Sequence, residues 1–417
     1  MNKLWSSFLL SAIVPCALAA GAAAEGPWLT DWGFARQAAE TGGKPVLIEF
    51  HAVWCYSCYY MENNVLSKPA FLAEGPKSAV LLRLDVDTPE GREWKEKLAA
   101  RVLPSFVVVD AAGKELGRII GEQTEKEFLE QLRAITGAAK PDPLRALRGL
   151  IDRKELAAAA AERERLRAEK GKLPQDAEFR RLSLRLDLAE ALEKKDAGRA
   201  GTALKALLPI EEDCALVPQA MDALELVPAL KSAVAVRFQS LAEKRVFGKA
   251  NQRCADLRST VLVLADASSD AKKAALLRRT VSLLQKMAAK KGVGDDRNLD
   301  DNLRFFLETA GGKDAELGEL YPKLAAAYPA DYVYSYRWAK WLYGRKEHAR
   351  ALELAQKAWE LSYGANRLTV TGLKARILTA MGQRDEAEQA VRAELKASRG
   401  RFPKDAVGLE KVLAELR

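Results

Sequence analysis

Hydrophobic and polar residues follow two patterns along the chain, and the change between them falls near residue 140. In the first part, short apolar runs alternate with segments of helical spacing. Four runs predict β-strands, the last two joined by a glycine-containing turn into a hairpin: 46–51, 80–86, 105–110 and 115–120. Helices are predicted at 57–65, between the second strand and the hairpin, and after Thr124, which forms a capping box with Glu127. This order predicts a sheet covered by helices, the α/β class.

Beyond residue 144 the strand pattern almost disappears. Ala, Leu, Arg, Lys and Glu recur there at helical spacing, in blocks that predict about a dozen helices of ~10 to 20 residues. The breakers between these blocks are prolines and glycines: Pro174, Pro209, Pro218, Pro228, Gly248, Gly292 and Gly294. The second part is therefore expected to be an all-α stack of antiparallel hairpins.

The last part of this stack, 329–417, resembles tetratricopeptide repeats. Ala351 takes a small-residue position of a second repeat helix, which places Trp338 and Ala339 on the first helix and Pro329 at the end of the preceding repeat. The same register recurs at Ala387, 36 residues later (387 − 351). We expect a tetratricopeptide-like solenoid at 329–417, with its aromatic residues in the repeat core, and a general helical array at 144–328.

The first 24 residues are organised like an export signal. Lys3 is followed by an apolar stretch at 4–18 and by small residues before Glu25. This stretch of about 15 residues is shorter than the ~20 that a membrane-spanning helix needs. We expect 1–24 to be cleaved, Cys16 to be lost with it, and the mature chain to be periplasmic, where disulfides persist.

Glycine and proline between residues 137 and 143 mark a boundary. We assign 138–143 to a linker, which leaves 25–137 as the α/β domain. The fold class is therefore an α/β domain followed by an all-α helical-repeat domain.

Composition excludes several kinds of chemistry. Only two histidines, His51 and His348, occur in 417 residues, which argues against most metal centres and Ser-His-Asp triads. The 66 basic and 57 acidic residues give a formal charge of +9 but are mixed along the same segments. Mixed charge is typical of solvated helix faces, so we expect no nucleic-acid partner.

Removal of the signal leaves four cysteines: Cys55, Cys58, Cys214 and Cys254. Four cysteines allow three pairings. The sequence favours Cys55 with Cys58 and Cys214 with Cys254. The second pair would close a loop of about 40 residues and is interpreted as a structural disulfide.

The pair Cys55 and Cys58 carries the candidate chemistry, because it lies where a buried strand meets a helix. Unpaired N–H groups at a helix N-terminus favour a thiolate, so Cys55 is the predicted nucleophile and Cys58 the resolving cysteine. A static disulfide and half of a zinc site are the alternatives. The second is disfavoured, since no other Cys-x-x-Cys motif or histidine cluster would complete the ligands.

Residues 44–62 resemble the thioredoxin superfamily, in particular the branch with the C-terminal domain of the Dsb-type membrane electron transporter. By this resemblance Glu49 is a proton relay, Trp54 flanks the cysteines, and Pro104 is the cis-proline of a loop that contacts substrate. Residues 106–118 match the closing hairpin. A static buried acid is the simpler alternative for Glu49. His51, two residues further along the strand and on the same face, is predicted to be a packed polar residue rather than a participant in proton transfer.

The resemblance implies an exported thiol–disulfide oxidoreductase in cell redox homeostasis, without bound cofactor or metal. Its implied electron donor is a membrane thiol transporter, and its implied substrates are exported proteins or cytochrome-maturation factors. Tyr56 and Ser57 between the cysteines carry no permanent positive charge, which favours a reductase over an oxidant or isomerase. The helical repeats would bind a protein partner. The rival interpretation is a redox-sensing or redox-inert scaffold, in which the helical domain performs the main function by binding partners.

Overall fold

The computed structural model describes residues 27–137, 142–169, 176–210, 216–248 and 256–416. The expected export signal, most of the expected linker, and both Cys214 and Cys254 lie outside the described residues. The pairing proposed for these two cysteines therefore stays a prediction.

The first unit is an α/β domain. Its strands are β1 Val46–His51, β2 Val80–Asp85, β3 Ser105–Val109 and β4 Glu115–Ile120. Its helices are α1 Trp32–Gly42, α2 Tyr56–Met61, α3 Pro69–Ser78, α4 Pro89–Lys97 and α5 Glu125–Thr136, and a π-helical turn, Glu62–Leu66, continues α2. The four predicted strands agree with these bounds to within one residue, and Thr124 caps α5 through the capping box. The sequence pattern did not predict α1 or α3.

The four strands form one sheet in the order β2-β1-β3-β4. β1 runs parallel to β2, and β3 runs antiparallel to both of its neighbours, β1 and β4. The parallel pair needs a crossover, which α2 and α3 supply. Successive β1 residues face apolar cores on opposite sides: Ile48 packs with α1 and α4, and Leu47 packs with α2, α3 and α5.

Fifteen α-helices make up the described part of the second unit. They are α6 Arg145–Asp152, α7 Leu156–Ala168, α8 Ala177–Glu193, α9 Ala197–Leu207, α10 Leu216–Leu226, α11 Lys231–Arg245, α12 Leu257–Asp266, α13 Asp270–Lys291, α14 Arg297–Ala310, α15 Asp314–Ala327, α16 Val333–Gly344, α17 His348–Leu361, α18 Asn366–Ala380, α19 Arg384–Ser398 and α20 Pro403–Glu415. A 3-10 turn, Pro228–Leu230, precedes α11. The expected breaker Pro218 instead lies in the first turn of α10, where its missing N–H costs no helical hydrogen bond.

The all-α class of this unit is confirmed, and helices adjacent in sequence pack in pairs. Ala339 and Ala351 are fully buried between α16 and α17, and Ala387 is buried where α19 packs on α18. These are the small-residue positions of the expected repeat, whose assignment to the tetratricopeptide family stays a prediction. In the described ranges, no helix combines the length and apolar character required to cross a bilayer.

Candidate functional site

The Cys-x-x-Cys motif lies at the junction of β1 and α2. Cys55 is the N-cap of α2, and its Sγ accepts a hydrogen bond from the backbone N–H of Cys58 at 3.1 Å. The two residues form a disulfide with 5.3 Å between their Cα atoms. Once the disulfide is reduced, the same N–H and the helix dipole favour a negative charge on Cys55.

The loop before β3 contains the expected cis-proline. The peptide bond between Leu103 and Pro104 is cis. The Pro104 carbonyl accepts a hydrogen bond from Gly121 at 2.9 Å, which ties the loop to the end of β4. Leu103 packs against the apolar cluster that includes both cysteines, so the structure brings this loop and the motif together.

Glu49 lies on β1 and is fully buried. Its Oε2 accepts a 2.6 Å hydrogen bond from Arg83 on β2, while its Oε1 has no hydrogen-bond partner among the described residues. Burial raises the pKa of Glu49 to about 7, although the Arg83 guanidinium lowers it in part. A carboxyl group with a pKa near 7 can hold or release a proton at neutral pH, as a proton relay requires.

His51, on the same face of β1, remains neutral. Burial lowers the pKa of His51 to about 3, and the charges of Arg83 and Arg297 add to the effect. Its ring packs edge-on against Tyr59 with 5.7 Å between the centroids. This environment supports the interpretation of His51 as a packed polar residue.

Trp54 is the partly exposed member of the site. Its side chain is 39% exposed, and the indole Nε1 donates a 2.7 Å hydrogen bond to Asp87 after β2. An indole held beside a cysteine pair is a natural fluorescence reporter of the redox state of that pair.

Two polar groups of the site were missed by sequence reasoning. Arg83 forms ion pairs with both Glu49 and Glu62. The parallel pairing of β1 and β2 places Arg83 opposite Glu49, so a correct strand register would have predicted that contact. Glu122, two residues after the end of β4, is only 6% exposed. Burial and the nearby Asp256 hold the pKa of Glu122 well above its usual range, while the Ser57 hydroxyl acts in the opposite direction. No motif marks Glu122, because its environment comes from distant parts of the chain.

The largest feature that the sequence did not reveal is the contact between the helical unit and the motif. Arg297 and Asn298 on α14 donate hydrogen bonds to the carbonyls of Val53 and Tyr56, at 3.0 and 2.8 Å. Arg337 on α16 donates a 3.4 Å hydrogen bond to the carbonyl of Trp54.

A fourth contact involves the aromatic ring inside the motif. The guanidinium of Arg258, on α12, lies 3.7 Å from the centre of the Tyr56 ring. With all of these contacts in place, Cys55 is 4% exposed and Cys58 is 1% exposed.

A disulfide at the start of a helix, preceded by a buried strand and packed beside a cis-proline loop, is an arrangement suited to thiol–disulfide exchange. The family described as Thioredoxin-like matches residues 27–111. Thioredoxin H2-2 of Oryza sativa subsp. japonica is 32% identical over 108 residues, which cover 25% of this chain and 69% of that relative. The chain belongs to the thioredoxin-like family.

Two further similarities concern the same domain. The thiol:disulfide interchange protein DsbD of Pseudomonas fluorescens is 37% identical over 101 residues, 23% of this chain. The match spans only 17% of the length of that relative. The solution structure of a thioredoxin from Thermus thermophilus is 33% identical, with a TM-score of 0.24, and the match covers 26% of this chain and 85% of that one.

Proposed function

We propose that this protein is an exported thiol–disulfide oxidoreductase that reduces disulfides of other proteins through Cys55 and Cys58. The hydrogen bond from the N–H of Cys58 to the Sγ of Cys55 is the observation that carries the proposal, because it stabilises the thiolate of the attacking sulfur. The name of DsbD, a thiol:disulfide interchange protein, supports the same chemistry.

The reaction takes two exchanges. The Cys55 thiolate attacks a substrate disulfide, which releases one substrate sulfur and leaves a mixed disulfide. Cys58 then transfers its proton to ionised Glu49 and attacks the Sγ of Cys55, which releases the second substrate sulfur. The substrate gains two electrons, and the protein ends with the Cys55–Cys58 disulfide. Pro104 presents its loop to the substrate backbone beside Cys55.

Regeneration requires a thiol donor, which we propose to be a membrane thiol transporter in the periplasm. The resemblance of residues 44–62 to the Dsb-type branch of the thioredoxin superfamily supports this donor. The helical unit would contribute binding of a protein partner, as helical arrays do through their extended surfaces.

The equilibrium reduction potential tests the proposal and its direction. In thiol buffers, followed by Trp54 fluorescence, we expect a reversible two-electron transition near about −250 mV, in the range of thioredoxin. A value of about −120 to −180 mV would instead make the protein an oxidant or isomerase. Absence of a reversible transition would favour the scaffold interpretation.

The role of Glu49 predicts a pH profile. Because Cys58 must lose its proton before it attacks, release of a preformed mixed disulfide should speed up as the pH rises through the pKa of Glu49, about 7, and then level off. In Glu49→Gln the rise should move to the pKa of a free thiol, about 8.5, and the rate at pH 7 should fall about tenfold. Stopped-flow measurement of product release between pH 5 and 9 provides both values.

Glu62→Gln is the matched control for Glu49→Gln, since both remove a carboxylate that Arg83 contacts. The charge of Glu62 raises the pKa of Glu49. The control should therefore keep the inflection and shift it to lower pH. A Glu49→Gln profile identical to that of the unmodified protein would show that Glu49 is a static buried acid.

A further inference from the structure

The helical unit packs against the residues on both sides of Cys55. Exchange with a protein disulfide needs an open approach to the Sγ of the attacking cysteine, Cys55. Backbone carbonyls on both sides of Cys55 accept hydrogen bonds from side chains of α14 and α16. These carbonyls belong to Val53, Trp54 and Tyr56. With these contacts in place Cys55 is only 4% exposed, which leaves little room for a protein substrate to reach its Sγ.

A second set of contacts anchors the helical unit beside β2. The loop between α17 and α18 contacts the α/β domain. The N–H of Ala365 in this loop donates a 3.3 Å hydrogen bond to the Asp87 carbonyl. The hydroxyl of Tyr363 donates a hydrogen bond to Asp85. Asp87 also holds the indole of Trp54, so this anchor connects directly to the residue before Cys55.

The contacts between the units combine an apolar part, where Val53 packs against the cluster that contains Tyr332 and Val333, with polar contacts that are partly open to water. The ion pair between Lys404 and Glu96, 2.8 Å long, has side chains that are 75% and 52% exposed, and exposed pairs of this kind are weak. Polar contact surfaces between domains resemble those of transient complexes, for which relative motion is the ordinary expectation. The contact is therefore suited to opening.

We propose that the helical unit is a self-inhibitory cover, and that a protein substrate reaches Cys55 only when α14 and α16 separate from the motif. The inference rests on the proposed exchange reaction at Cys55 and adds its regulation. A partner that binds the helical unit and draws it away would activate the enzyme.

Gly364 offers a way to weaken the cover without altering the motif. It has a φ of +56°, and a Cβ there would lie 1.8 Å from the carbonyl oxygen of Asp87. Gly364→Ala must therefore push the anchor loop away from the α/β domain. Gly312→Ala is the matched control, because Gly312 has a φ of +61° and no atom within 4 Å of the same Cβ position. The control adds the same backbone strain without a clash.

The measurement is alkylation of Cys55 in the reduced full-length protein, by a small maleimide and by a maleimide carrying a polyethylene glycol chain, with peptide mass spectrometry. For Gly364→Ala we expect the large reagent to react about tenfold faster than in the unmodified protein, as a tenfold larger open population would require. Gly312→Ala should react at the unmodified rate. Equal rates for all three proteins would overturn the proposal.

Tyr363→Phe provides a second test if Gly364→Ala does not fold. It removes only the hydroxyl that binds Asp85. Tyr343→Phe is its control, because the Tyr343 ring packs on His348 within the helical unit. Faster alkylation in Tyr363→Phe alone supports the cover, and equal rates in both contradict it.

Alkylation requires no substrate, which separates the two proposals. Faster alkylation together with faster insulin reduction supports the cover and the reductase. Faster alkylation without insulin reduction supports the cover and overturns the proposed enzyme. Insulin reduction at the same rate in Gly364→Ala and in the unmodified protein, with equal alkylation, overturns the cover alone.

Discussion

Cys55→Ser is expected to abolish reduction of insulin disulfides, leaving only the background rate of the thiol in the assay. A serine hydroxyl does not ionise in the range where a thiol at a helix N-terminus is half thiolate, so no attacking group remains. Cys58→Ser should behave differently. It keeps the backbone N–H that donates to Cys55 but removes the sulfur that resolves the mixed disulfide. The first exchange therefore proceeds and the second does not.

The measurement for this pair is insulin turbidity with mass spectrometry of the protein. Cys58→Ser should accumulate a covalent adduct that dithiothreitol reverses, whereas Cys55→Ser should form none. The double variant Cys214→Ser, Cys254→Ser is the matched control and should keep its turnover, since these cysteines are assigned a structural role. Full insulin reduction by Cys55→Ser would refute the proposed function.

Asp301→Asn is expected to cost about 3 to 5 kcal/mol of unfolding free energy, the range found when one partner of a buried ion pair is removed. The Asp301 side chain is 3% exposed and binds three arginines: Arg258 at 2.9 Å, Arg304 at 3.0 Å, and Arg337. Removing its charge leaves three guanidinium groups crowded in the interior with less compensation. Urea denaturation followed by circular dichroism measures the loss.

The control for this substitution is Asp314→Asn. Asp314 also pairs with an arginine, Arg345 at 2.8 Å, but its side chain is 60% exposed. Water already screens that pair, so the unfolding midpoint should barely move. Equal effects of the two substitutions would mean that the arginine cluster is not held by Asp301.

The loss of unfolding free energy in Asp301→Asn is expected to depend on pH. The three arginines hold the pKa of Asp301 well below its usual range, although burial alone would raise it. A lowered folded-state pKa stabilises the protein above the unfolded value of about 4, and this stabilisation is lost as the pH falls below it. The stability difference between the unmodified protein and Asp301→Asn should therefore shrink below about pH 4.

Asp301 also holds arginines that position the helical unit over the motif. Two of its partners, Arg258 and Arg337, contact Tyr56 and the Trp54 carbonyl. Loss of Asp301 should free these arginines from their positions over the motif, and we expect Asp301→Asn to increase alkylation of Cys55 as well.

The α/β domain could be read from local patterns. Apolar runs of strand length placed β1 to β4 to within a residue, because a buried strand needs a continuous apolar stretch and a turn at each end. The motif chemistry was equally local: Cys55 and Cys58 lie three residues apart, and the strand–helix junction places them at the helix N-terminus. The helices α1 and α3 escaped prediction, since their apolar positions are few and α3 has a proline within it.

The sequence by itself determined the fold class, the redox pair, and the cis-proline loop, all features of residues close in the chain or of a family pattern. Only the tertiary structure decided the raised pKa of Glu49, which depends on burial and on Arg83 across the sheet, and the burial of Glu122. It alone placed α14 and α16 over the motif. Those contacts join residues more than 200 positions apart, and their hydrogen bonds end on backbone carbonyls, which every residue has and no sequence pattern can mark.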